Sequence, residues 1–141
     1  GGKPIHGKLF GSHKTWRGLV AAILVGGLIF WLQKVLYVKG FQNLALIDYA
    51  DFSLWLGFLQ GAGAILGDLV KSYYKRKQGI KSGEPWWGWD QLDFVFGGLL
   101  LGFLVYVPSI MTIVVLMTLS PILHAAVNYI GYLLKIREKR F

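Results

Sequence analysis

A chain of 141 residues has the length of one domain, but 55% hydrophobic residues, 16% aromatics and a mean hydropathy of +0.51 exceed what a water-soluble core of that size takes up. The absence of cysteine excludes disulfides, thiolate nucleophiles and thiolate metal sites together, leaving oxygen and nitrogen as ligand atoms. Lys+Arg 15 against Asp+Glu 7 gives a formal charge of +8, which suits nucleic acid, anionic lipid or nucleotide alike until the charges are placed along the chain.

Residues 1–18 are polar and basic, without the apolar core or cleavage site of a signal peptide, and read as a cytosolic loop. Its end, Gly11-Ser12-His13-Lys14-Thr15-Trp16-Arg17-Gly18, supplies glycines for close backbone approach, a lysine, a hydroxyl and a guanidinium ahead of a helix start, a composition that suits phosphates. A basic loop at a lipid head-group surface is the plainer reading, since the octapeptide is no Walker pattern. Residues 19–38 then give a first membrane helix, with Gln33 and Lys34 close enough to its end to snorkel.

A second span covers 52–74 and contains Gly57, Gly61, Gly63 and Gly67, spaced so that helix backbones can approach closely in lipid. On a helix continuing out of it, Asp68, Lys71, Ser72, Lys75 and Arg76 fall on one face. A carboxylate at that depth is tolerated mainly when it meets a partner, a metal or water, and an ion pair with Lys71 would satisfy it. Residues 75–89 read as a second cytosolic loop with Gly79, Gly83, Pro85, Gly88 and the tryptophans Trp86, Trp87 and Trp89, which most simply form an interfacial belt.

The third span, 90–107, opens with Asp90 and Asp93 one turn apart and stops before Pro108. A helix cap accounts for Asp90 alone; Asp93, followed at once by apolar residues, is harder to dismiss. Asp68, Asp90 and Asp93 together are hard oxygen donors, without cysteine or paired histidines, and suit one or two magnesium ions. The fourth span, 110–134, carries Pro121, where a kink or tilt is expected, and His124 near Asn128, where an interhelical hydrogen bond is expected.

Orientation follows from the loops. Lys3, Lys8, Lys14 and Arg17 precede the first span, Lys71, Lys75, Arg76, Lys77 and Lys81 follow the second, and Lys135, Arg137, Lys139 and Arg140 end the chain, whereas the remaining connections hold only Lys39 with Asp48 and Asp51. The expectation is an all-α, polytopic transmembrane helix bundle forming a single domain over 1–141. It has four spans with both basic loops and the C-terminus in the cytosol and the site between those loops, and no nucleic-acid partner is expected.

With these residues in view, the sequence resembles the CDP-archaeol synthase family, the archaeal branch of the CTP-dependent phosphatidate cytidylyltransferase-like enzymes. The likeness runs through Gly1 to Ile5, Lys14 to Gly18, Gly67-Asp68-Leu69-Val70-Lys71-Ser72 with Lys75-Arg76, and Asp90-Gln91-Leu92-Asp93-Phe94. It implies transfer of CMP from CTP to the phosphate of an unsaturated archaeal ether lipid, digeranylgeranylglyceryl phosphate, with magnesium and release of pyrophosphate. On that reading Asp68, Asp90, Asp93 and Lys71 are catalytic, the three carboxylates hold the metal, and Lys14, Thr15, Arg17, Ser72, Lys75, Arg76 and Lys81 bind nucleotide and phosphate. The resemblance also implies a fifth helix before the first loop and further loop residues after Ile5, where His6 follows directly here. The rivals are an ester-lipid CDP-diacylglycerol synthase, an ion-coupled transporter with Asp68, Asp93, His124 and Asn128 along its path, and a structural membrane protein.

Overall fold

The computed structural model describes residues 2–45, 47–81, 84, 86 and 88–136, and the regular structure among them is helical apart from one isolated bridge between Pro4 and Thr15. Gly1, Gly83, Pro85 and Trp87, and the tail's Arg137, Lys139 and Arg140, to which the sequence assigned parts of the first motif, the second loop and the basic end, lie outside the described residues. The elements are α1 (Gly7–Phe10), α2 (Trp16–Val38), α3 (Trp55–Lys77), α4 (Trp89–Gly102) and α5 (Ile110–Leu133), with 3-10 turns at Gln42–Leu44 and Tyr49–Asp51 between α2 and α3.

The starts of α2, α4 and α5 have local causes. Thr15 caps α2, its hydroxyl accepting the Gly18 N–H at 3.1 Å, and Ser109 caps α5 through the Thr112 N–H at 3.2 Å. At the start of α4 the Gln91 side chain accepts the Gly88 N–H at 2.9 Å. Asp90 is therefore not the cap residue; it sits inside the first turn and is free for other partners. The helix α3 runs to Lys77, so the second loop begins at Gln78 and Lys75 and Arg76 are helical rather than loop residues. The third apolar run yields a helix only to Gly102, short of the expected 107, while α5 continues through Pro121.

The helices pack backbone to backbone through glycines on two sides of α3. Towards α2, a Cβ on Gly26 would lie 2.6 Å from the Gly57 carbonyl oxygen and 3.0 Å from the Gly61 Cα. Towards α4, Gly63 and Gly97 face each other's carbonyls, and a Cβ on Gly67 would collide with the carbonyl of Asp93. Such seams are how helices associate where no hydrophobic driving force separates protein from solvent. The two pairs read from the sequence therefore serve different neighbours, Gly57 and Gly61 facing α2 and Gly63 and Gly67 facing α4.

The helices α2 (23 residues) and α5 (24 residues) are long and apolar enough to cross a bilayer. Both turn large aliphatic side chains outward, among them Leu24, Leu28, Val127 and Ile130, and α5 has no buried residue. The buried apolar residues are few, Phe30, Leu56, Leu69 and Val95, and three polar ones, Ser72, Lys75 and Asp93, are as deeply enclosed. The interior is thus where the charges are, and the exterior is where the oil is.

Candidate active site

Three segments meet at the end of the bundle where α3 leaves it: the last turns of α3, the first turns of α4 and the loop before α2. The first loop folds back on itself, with Ile5 N–H donating to the Lys14 carbonyl at 2.8 Å and Trp16 N–H to the Lys3 carbonyl at 3.2 Å, and α1 packs against α3. This hairpin-like closure aims Lys14 at Asp68, and their side chains form an ion pair across 54 residues of sequence.

Lys71 is the centre of the arrangement. Its Nζ lies 3.1 Å from Asp68 Oδ1, 2.9 Å from Asp90 Oδ1 and 2.7 Å from Asp93 Oδ2. An ammonium carries one positive charge, and here three carboxylates stand within ion-pairing distance of it. The second oxygens are engaged as well. Asp68 Oδ2 pairs with Lys14, Asp90 Oδ2 accepts the Trp86 N–H at 2.6 Å, and Asp93 Oδ1 accepts the Phe94 N–H at 2.8 Å. Lys75 Nζ adds a contact of 3.3 Å to each Asp90 oxygen and donates to the Glu84 carbonyl.

Three carboxylates from two helices thus converge within bonding distance of one point. Hard oxygens of that number suit a cation of the magnesium or calcium type. Among the described residues no group of acidic or histidine side chains stands ready to hold a metal as placed, because the point of convergence is filled by the Lys71 ammonium. The donor set fits a divalent cation in chemistry and charge, with a lysine standing where the ion would.

The other expected residues divide. Ser72 is buried behind the cluster. Lys75 is buried and tied to Asp90 and Glu84, so it fastens the second loop to α3. Arg76 donates from Nη2 to the Lys81 carbonyl at 3.1 Å, while its buried Nε meets no hydrogen-bond partner among the described residues. Lys81 donates its backbone N–H to Glu84 Oε2 at 3.0 Å and leaves its side chain exposed. The Thr15 hydroxyl is occupied by the α2 cap, and Arg17 is exposed beside Gly2. His124 pairs with Asn128 at 3.4 Å along its own helix and lies against the Phe94 ring of α4.

A family model described as CDP-archaeol synthase matches residues 1–141. The chain belongs to the CDP-archaeol synthase family. Relatives that carry this name include proteins from Methanospirillum hungatei (38% identical, covering 93% of this chain and 80% of the relative) and Thermococcus kodakarensis (34%, 94% and 78%). Another, from Methanosarcina mazei, is 34% identical and covers 99% of this chain and 90% of its own. No solved structure matches.

What the sequence analysis missed in this CDP-archaeol synthase family chain is a groove of about 570 Å³ between α3 and α4. Leu66, Val70 and Tyr74 line it from α3, Phe96 and Leu100 from α4, and Trp86 and Trp89 close one end with their rings 5.7 Å apart. Lys71 and Asp93 form the polar part of its wall. Trp86 and Trp89, two of the three tryptophans expected to form an interfacial belt, line this cavity. The signal was present as i, i+4 spacing: Leu66, Val70 and Tyr74 repeat on one side of α3, and Phe96 and Leu100 on one side of α4.

Proposed function

We propose that this chain is a CTP-dependent cytidylyltransferase that transfers CMP to the phosphate of digeranylgeranylglyceryl phosphate, giving CDP-archaeol and pyrophosphate. The observation that carries this reading is the junction at Lys71 and Asp93, which belong at once to the charged cluster and to an apolar groove. Few substrates need both. A phosphate on two long isoprenoid chains does, and family membership names the product.

In the reaction a lipid phosphate oxygen attacks the α-phosphorus of CTP and the bond to the bridging oxygen of the β-phosphate breaks, so pyrophosphate leaves with that electron pair. A phosphate monoester has its second pKa near 6 and is largely ionised at neutral pH, so no strong general base has to be supplied. The work left to the protein is positioning and charge neutralisation. Apolar chains seated against Leu66, Val70, Phe96 and Leu100 would bring the head group to Lys71. Lys14, Arg17 and Lys81, on the two basic loops, and Arg76 at the end of α3 would meet a triphosphate arriving from water. Lys75 and Thr15 act at one remove, by holding Asp90 with the second loop and by starting α2. Asp68, Asp90 and Asp93 would hold the divalent cation, magnesium by donor type, which when bound offsets phosphate charge.

The same reading puts four helices across the membrane, with both basic loops in the cytosol. With 14 residues α4 is about 21 Å long, less than the roughly 30 Å of a bilayer core. The turn after it completes the crossing, supported by the edge-to-face contact of Tyr106 with Phe52 at 4.7 Å.

Purified protein incubated with radiolabelled CTP, magnesium and digeranylgeranylglyceryl phosphate should yield lipid-linked CMP. Ester phosphatidate serves as the second arm. Label in neither lipid would sink the enzymatic reading, and label in the ester alone would replace the substrate.

A further inference from the structure

Lys71 is ion-paired with three carboxylates at once, and among the described residues they share no other common partner. The three contacts of 2.7–3.1 Å leave its side chain 13% exposed and that of Asp93 6% exposed. Neither charge could stand bare at such a depth. In direct contact are three carboxylates, Asp68, Asp90 and Asp93, and three ammonium groups, Lys14, Lys71 and Lys75, so the set is neutral as it stands. A divalent cation added to it would make the set strongly positive. It would also need the space where the carboxylates converge, which is the space of the Lys71 ammonium.

We infer that Lys71 is a resident counter-ion that keeps the three carboxylates in register and is displaced from them when a divalent cation enters. The displaced ammonium has somewhere to go, because the same side chain lines the apolar groove. There it meets the place to which a lipid phosphate would be led by its chains. Cation entry and phosphate recognition are then two halves of one exchange: the ion takes the carboxylates, and the freed lysine takes the phosphate. Lys71 is in this sense a positioning residue for the metal as well as a contact for substrate. The inference rests on the assignment of Asp68, Asp90 and Asp93 to a divalent cation and adds what gives way to that ion.

Two measurements test it without turnover. In the wild-type protein, limited acylation of lysines read by mass spectrometry should modify Lys71 several-fold more with millimolar Mn²⁺ than without. Lys34, whose ammonium is held at the other end of the bundle by the carbonyls of Ala50 and Phe52, should not change. Unchanged or reduced labelling of Lys71 overturns the exchange. Second, Mn²⁺ binding followed by electron paramagnetic resonance should be at least about tenfold tighter in Lys71→Met. That is a conservative figure against the repulsion between a divalent ion and an ammonium a few ångströms away. Lys71→Arg, which keeps the charge, should bind like wild type. If Lys71→Met does not fold, the labelling decides alone. Asp93→Asn separates the two levels. Should it lose Mn²⁺ while Lys71→Met gains nothing, the carboxylate assignment stands and the exchange fails; should it bind Mn²⁺ like wild type, both fail.

Discussion

Neighbouring glycines in α4 should respond in opposite ways to the same added methyl group. A Cβ on Gly97 would meet the Gly63 carbonyl, with its carbon at 2.8 Å and the Gly67 nitrogen at 2.9 Å. All of these are backbone atoms that no rotamer change can clear. To regain ordinary contact, α3 and α4 must part by something on the order of 1 Å, at a cost of about 1–3 kcal/mol for overpacking. The same shift acts on the site, because Lys71 rides on α3 while Asp90 and Asp93 ride on α4. The Lys71 side chain can follow such a shift, but the Asp68 carboxylate on α3 would part from those of Asp90 and Asp93 on α4, so that the three no longer converge on one point. A displacement of that size at a reacting centre costs roughly 10²-fold in rate. A methyl added to Gly98, one residue on, would have only the Gln60 carbonyl oxygen nearby, at 3.6 Å, an ordinary contact. Gly98→Ala should therefore be neutral or stabilise by up to about 1 kcal/mol through the loss of backbone freedom in the unfolded chain. Thermal unfolding in detergent and CMP transfer to lipid, measured on both variants, decide the matter. If Gly97→Ala and Gly98→Ala behave alike, the backbone seam does not set the geometry of the site.

Three further outcomes follow from single contacts. Asp93→Asn should lower transfer by about 10²-fold or more while the protein stays folded, and Asp93→Glu should do nearly the same, because an extra methylene moves the carboxylate by about 1 Å from the point where the three converge; a Glu variant with wild-type turnover would refute the spatial argument. Lys75→Met should lower stability by about 3 kcal/mol, the low end for breaking a buried ion pair because Asp90 keeps Lys71, and circular dichroism during thermal unfolding would read it. Thr15→Ala should cost about 1 kcal/mol of stability and Thr15→Ser should restore it, whereas a hydroxyl bound to phosphate would show its effect in the KM for CTP instead.

How far the sequence could be read depended on how local each feature is. The limits of α2 and α5 follow from apolar length and a capping hydroxyl, and both lie close to the runs expected. The polar stripe on α3 was legible because Asp68, Lys71, Ser72, Lys75 and Arg76 obey helical spacing whatever surrounds them. Which members of the stripe face water was not. Lys75 looks like any loop lysine until the Glu84 carbonyl is found to accept from its ammonium. Thr15 looks like a phosphate ligand because glycines and cations flank it, and the same hydroxyl, three residues before Gly18, also accepts that residue's N–H as a helix cap, a local role that helical spacing alone makes possible. The pairing of Lys14 with Asp68, 54 residues apart, depends on how the first loop closes, which no periodicity encodes.

The glycine seam and the aspartates belong to one solution. Aspartate has a short side chain and can share an ammonium with a carboxylate on another helix only where the two backbones nearly touch. Gly67 against the Asp93 carbonyl, one residue before Asp68, supplies that contact at the level of the cluster itself. Lysine supplies the length from the other side, so that reach is asymmetric: long cations on α3 and the first loop, short anions where the helices meet. Because the anions are held by backbone packing and the cations by flexible chains, it is the cations that can move when a charged substrate arrives. The carboxylates are then the fixed part of the arrangement and Lys71 its moving part, while Lys75, buried and tied to Asp90 and Glu84, stays as a fastener.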